Sequence, residues 1–198
     1  MLRRDALGPR AYLSLMLINI VNQSGSRVPR VYVVDWLKRL EAHLPRAINP
    51  KRYRDRELTL VFLDVKAARK LNLQFRKRNY ATDVLSFQGM DQETLGDLVI
   101  CPEVIRRQAK EHGLLIREEL GYMILHGVLH LLGYDHETDE RDAKKMFRLQ
   151  DAIFEKLLSA PGKKKSALHV ESRVDRSINT RINRPITRPI LRSIKGKT

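Results

Sequence analysis

A chain of 198 residues with 42% hydrophobic content can bury one sizeable core, which excludes a wholly disordered protein. Its single cysteine, Cys101, excludes an intramolecular disulfide and suits a reducing compartment. The net charge of +15 favours polyanionic partners, nucleic acid before an acidic membrane surface, although a merely solvated basic surface would carry the same charge.

In chain order, Arg3, Arg4 and Arg10 precede an apolar stretch from Ala11 to Val21 that Asn19 interrupts. It falls short of the roughly 20 apolar residues a bilayer span needs. No small-x-small cleavage site follows it, so it reads better as a strand than as a signal peptide. Met16 is a candidate start, which would make residues 1–15 an N-terminal extension. Alternation predicts a strand over Leu15–Asn22. A polar loop leads to a predicted helix, Val31–His43, carrying Val34, Leu37 and Leu40. A basic loop, Pro45–Arg56, precedes a second strand at Glu57–Leu63 with Leu58, Leu60 and Phe62 on one face. Asp64 is the expected N-cap of a helix carrying Ala67, Ala68, Leu71 and Phe75. Two short strands follow, Val84–Phe87 and Leu98–Cys101, the latter preceded by Gly96 and Asp97. Pro102 opens a helix that ends near Gly113. Leu115–Leu132 is the longest periodic stretch, with Gly133 as its stop. Thr138 opens a last helix ending at Leu158.

Pro161-Gly162 then closes the folded part. Residues 160–198 hold eleven Lys or Arg and two acids, a net +9, which leaves +6 for residues 1–159. This tail has no aromatic residue, repeats Arg-Pro (Arg184-Pro185, Arg188-Pro189) and is expected to be disordered. The expected organisation is an extension (1–15), one domain (16–159) and a basic tail (160–198). The expected class is α+β: a small mixed sheet with helices packed around it. With no membrane span and one cysteine, a cytoplasmic location without stable membrane association is expected.

The chemistry concentrates in His126-Gly127-Val128-Leu129-His130-Leu131-Leu132-Gly133-Tyr134-Asp135-His136. Residues four apart share a helix face, so His126 and His130 can address one ion, at the end of that long helix. Gly133 lets the chain turn back and bring His136 to a third corner. Three neutral imidazoles are a known catalytic zinc set with one tetrahedral position left for water, and no second cysteine exists for a structural site. Nickel and other divalent ions also accept imidazole. His43, His112 and His169 show no such grouping.

The spacing also matches His-x-x-x-His-x-x-Gly-x-x-His of metzincin proteases. Those place Glu after the first His as general base; Gly127 stands there and cannot move a proton. Peptide hydrolysis by that route is therefore not expected. A phosphodiester would use the metal together with a bidentate guanidinium. Arg76, closing Leu73-Gln74-Phe75-Arg76 before Lys77 and Arg78, is a candidate, although cations at a helix C-terminus are favoured by the dipole anyway. Thr82, Asp83 and Ser86 read as a turn and a strand wall. Asp97 reads as structural, or as a partner orienting a histidine.

These residues resemble the YbeY family of bacterial rRNA maturation endoribonucleases. His126 to His136 is similar to its His-Gly-x-Leu-His-Leu-x-Gly-Tyr-Asp-His signature. Asn72-Leu73-Gln74-Phe75-Arg76, then Thr82-Asp83-Val84-Leu85-Ser86-Phe87, resembles its central segment, and Leu95-Gly96-Asp97-Leu98 its next strand. The likeness runs from about Met16 to Leu158. It implies a single-strand-specific, zinc-dependent endoribonuclease acting on ribosomal RNA, in small-subunit 3′-end maturation and ribosome quality control. It implies one zinc on His126, His130 and His136, a functional role for Arg76, and ribosomal RNA and subunits as partners. Gln88 departs from a usual Pro and Phe75 from a frequent Tyr; neither touches a ligand. The tail is not a general family feature and could contact RNA phosphates. The alternative function is a non-enzymatic, zinc-containing ribosome-assembly or RNA-binding factor.

Overall fold

Alternation within one strand sets the layering. The computed structural model describes residues 16–45, 48–136 and 139–159. Strand β2 (Glu57–Leu63) turns Leu58, Leu60 and Phe62 to one side and Val61 and Leu63 to the other. Both sides are buried, as expected of a strand covered by helices on each face. It belongs to a four-stranded sheet with β1 (Leu17–Gln23), β3 (Val84–Gln88) and β4 (Thr94–Ile100), ordered β1-β2-β4-β3. The pairs β1·β2 and β2·β4 are parallel, and β3 runs antiparallel to β4. The expected small mixed sheet is present.

Helices α1 (Arg30–His43), α2 (Val65–Arg76), α3 (Pro102–Glu111), α4 (Ile116–Leu131) and α5 (Glu140–Leu158) surround it. On one face, Trp36, Leu37 and Leu40 of α1, Leu125 and Leu129 of α4, and Ile153 and Phe154 of α5 bury Leu58, Leu60, Phe62, Leu98 and Ile100. On the other, α2 lays Ala67, Leu71 and Phe75 over Val61, Leu63, Leu85, Phe87 and Val99. Helix α4 is buried along almost its whole length from Glu119 onward, as a helix apolar on all sides must be.

Most boundaries fall within two residues of those predicted. Asp64 caps α2, its Oδ1 accepting from Ala67 N–H at 2.7 Å. β4 begins four residues earlier than predicted. Glu57 faces Thr94 but Leu58 faces Gly96, so Leu95 is an extra residue, a bulge that carries the strand through Gly96-Asp97. Helix α5 starts at Glu140 and is capped by Asp139, whose Oδ1 accepts from Arg141 N–H and from Asp142 N–H; Thr138 lies outside the described residues. So do the expected extension (1–15) and basic tail (160–198). Among the described residues no helix is long and apolar enough to cross a membrane.

Candidate metal centre

Helix α4 carries His126 and His130 one turn apart. It ends at Leu131, and Gly133 takes φ +86°, the left-handed conformation glycine adopts without a Cβ clash. Gly133 N–H donates to His130 O at 2.9 Å and Tyr134 N–H to Leu129 O at 3.0 Å, which closes the helix end and turns the chain back. Arg52 packs on this turn: a Cβ on Gly133 would stand 2.9 Å from Arg52 Nη2. Three residues on, His136 joins the other two, and all three imidazoles are buried.

The three Nε2 atoms converge. His130 Nε2 lies 3.2 Å from His126 Nε2 and 3.1 Å from His136 Nε2. Imidazole ligands at about 2.0–2.1 Å from a tetrahedral ion stand roughly 3.3 Å apart, close to this spacing. A neutral imidazole has one N–H and one lone pair, so hydrogen bonds among themselves cannot satisfy three nitrogens that face one point. A cation at that point satisfies all three lone pairs. Among the described residues these three histidines form a group that could hold a metal ion, with no fourth His, Cys, Asp or Glu. Three protein ligands match catalytic rather than structural zinc sites.

Electrostatics keep the donors neutral. Burial pushes His130 down to about 2, with the charges of His126, His136 and Arg76 acting the same way. Burial also lowers His136 to about 4, helped by His126 and Arg76 and opposed by Asp135. His126 is lowered by burial against the opposing pull of Gln150 and Asp83. Neutral imidazole is the form that binds a metal.

Helix α5 supplies the walls. Phe147 stacks on His136, ring centroids 5.1 Å apart and planes 12° apart. Gln150 Oε1 lies 2.9 Å from His126 Nδ1. Sequence reading missed Gln150, yet a signal was present: it is a polar residue on the inward face otherwise made of Met146, Phe147, Ile153, Phe154 and Leu157.

Arg76 is the last residue of α2, half-buried, and its positive charge acts on both His130 and His136. Asp83 is fastened in place: Oδ1 accepts from Val84 N–H at 2.7 Å and Thr82 Oγ1 at 2.9 Å, and Oδ2 accepts from Gln108 Nε2 at 2.9 Å. Ser86 is buried between β3 and α4 with no hydrogen-bond partner for its hydroxyl. Ser86 has no base within hydrogen-bond reach, and the Thr82 hydroxyl is held by the carboxylate of its own neighbour, Asp83. Asp97 pairs across from Phe87 and falls, by strand alternation, on the α2 face with Val99. Within the histidine cluster, the outer side chain in hydrogen-bond contact with His126 is Gln150.

Gly127 has a second meaning. A Cβ there would lie 2.6 Å from Leu98 Cδ2 and 3.3 Å from Ser86 Oγ. The position that carries the base in metzincins points here into the sheet.

Comparison with known proteins agrees with this geometry. The family described as Endoribonuclease YbeY matches residues 20–158. A Bdellovibrio bacteriovorus protein named Endoribonuclease YbeY is 57% identical over 145 residues, 72% of this chain and 96% of that relative. A Petrotoga mobilis protein of the same name is 37% identical over the same shares of both chains. The solution structure of a Thermotoga maritima protein aligns with TM-score 0.52 and 28% identity, covering 75% of this chain and all of that one.

Proposed function

The chain belongs to the YbeY endoribonuclease family, and from that premise we propose that it is a single-strand-specific, zinc-dependent endoribonuclease of ribosomal RNA. Its family supports nuclease activity on RNA. The finer reading places it in small-subunit rRNA 3′-end processing and ribosome quality control, with ribosomal subunits as partners and the cytoplasm as its location. Residues 16–159 form the catalytic domain, and the basic tail adds contacts to RNA phosphates.

The observation that carries this reading is the convergence of three neutral Nε2 atoms on one point. His126, His130 and His136 hold the ion, one per chain. When bound, zinc supplies a Lewis acid for a phosphoryl oxygen and makes water acidic enough to yield hydroxide near neutral pH. Arg76 supplies the second positive group. Its planar guanidinium binds two phosphate oxygens at once and opposes the negative charge that grows on them in the transition state. Lys77 and Arg78 follow it and extend the positive surface that draws in the RNA backbone. Gly127 leaves no zincin base, which separates this chemistry from peptide hydrolysis.

Cleavage of single-stranded and structured rRNA by wild type, His130→Ala and Arg76→Glu tests the reading. Wild type cleaves the single strand and both variants lose at least a hundredfold, the size of effect seen when a transition-state donor is removed. Retained cleavage in both variants would overturn the mechanism. RNA binding without cleavage in wild type would favour the assembly-factor alternative.

A further inference from the structure

We infer that Gln150 is a positioning residue for the metal centre: it holds His126 in the Nδ1–H tautomer, so that Nε2 keeps its lone pair toward the other two histidines. The inference rests on the reading that the triad binds a metal.

Gln150 is fully buried and lies 24 positions beyond His126, on a different helix. A carboxamide on this face is costly. Its neighbours along the inward side of α5 are Met146, Phe147, Ile153 and Phe154, and its Nε2 is buried with no hydrogen-bond partner. An unpaired buried donor loses its hydration with nothing in return. Packing alone would be served by Leu or Met. The one paired atom of the amide is Oε1, and its partner is His126 Nδ1 at 2.9 Å.

The direction of that bond follows from the cluster. If Gln150 turned its NH2 toward the ring, Nδ1 would be the acceptor and the ring proton would sit on Nε2. That proton would then point at His130 Nε2, 3.2 Å away, and His126 could not ligate. With Oε1 as acceptor, Nδ1–H donates and Nε2 is free to bind. Metal-bound histidines almost always donate their other N–H to an outer partner in this way. Phe147, one turn earlier on α5, lies flat on His136. One helix therefore aims two of the three imidazoles, His126 by a hydrogen bond and His136 by a stacked face.

The test uses the full chain, stripped of metal. Zinc affinity is measured by competition with a chromogenic chelator for wild type, Gln150→Leu, Gln150→Glu and His126→Ala. Gln150→Leu should bind zinc 10–100-fold more weakly. Gln150→Glu, which keeps the acceptor, should bind at least as tightly as wild type. Wild-type affinity in Gln150→Leu, alongside lost affinity in His126→Ala, would overturn the positioning role and leave the metal site standing. Failure of wild type to bind zinc would overturn both. The tautomer itself is read in metal-free wild type by long-range proton–nitrogen NMR of labelled histidines, which needs no variant. A proton on His126 Nδ1 is expected; a proton on Nε2 would overturn the inference.

Discussion

Replacing Gly127 by alanine sets two opposed effects against each other at one atom. In a helix interior alanine is better than glycine by about 1 kcal/mol, so an exposed site would be stabilised. Here the new Cβ would stand 2.6 Å and 3.2 Å from the two methyl carbons of Leu98, and 3.3 Å from Ser86 Oγ. Carbon atoms rest at about 3.5–4.0 Å, so roughly 1 Å of movement is required. Leu98 is fully buried in β4 and registers with Ser86 of β3, so α4 and the sheet must part or Leu98 must leave its rotamer. Overpacking of this kind costs about 1–3 kcal/mol. The net expectation is a loss of about 1 kcal/mol, within a range of about 0–2. For a domain of this size 1 kcal/mol lowers the melting temperature by roughly 2–4 °C. Thermal unfolding of the metal-free chain, followed by circular dichroism, measures it. A double-mutant cycle with Leu98→Ala isolates the contact: truncating Leu98 should cost less in the Gly127→Ala background than in wild type. A melting temperature at or above wild type for Gly127→Ala would refute the reasoning, because the sheet would then yield without cost.

Gly133→Ala should lose about 1–2 kcal/mol, since φ +86° disfavours a Cβ and Arg52 occupies its space. Zinc titration should show weakened binding as well, because the turn aims His136; unchanged melting and affinity would count against this. In metal-free protein, acid should favour unfolding below pH 6.5. The unfolded histidines take up protons near 6.5, whereas folded His136 waits until about 4 and His130 until about 2. Each contributes a slope approaching 1.4 kcal/mol per pH unit, roughly, and urea midpoints that stay flat from pH 7 to pH 5 would contradict it. A version of the chain stopped after Leu158 should show a shallower salt dependence of RNA binding than the full chain; equal slopes would mean the tail makes no phosphate contacts.

What the sequence made legible was what repeats locally. The alternation of Leu58, Leu60 and Phe62 located β2 to the residue, and Asp64 announced the start of α2. The four-residue step from His126 to His130, with Gly133 beyond, disclosed the grouping of the histidines because helix pitch relates them directly. The beginning of β4 was not legible, since the bulge at Leu95 breaks the alternation and Gly96-Asp97 mimics a turn. Nor was the strand order, which depends on pairings between distant segments. Gln150 and Arg52 reach the site through tertiary packing alone. Gly127 was half-read: its lack of a side chain showed what chemistry is missing, and only the fold shows Leu98 beneath it.

All three histidines fall within eleven consecutive residues, whereas β1 and β2 pair across forty positions. Closing the short loop costs the chain little entropy, so the unfolded polypeptide can already gather the three rings around an ion. Parallel pairing of strands forty positions apart costs roughly 1 kcal/mol more in loop closure and belongs to the slower, non-local part of folding. Metal affinity in the unfolded ensemble subtracts from the stability that the ion confers on the native state. With zinc on the proposed site, the melting temperature should therefore rise by less than native-state affinity alone implies, and the three rings are open to the ion before the sheet is complete.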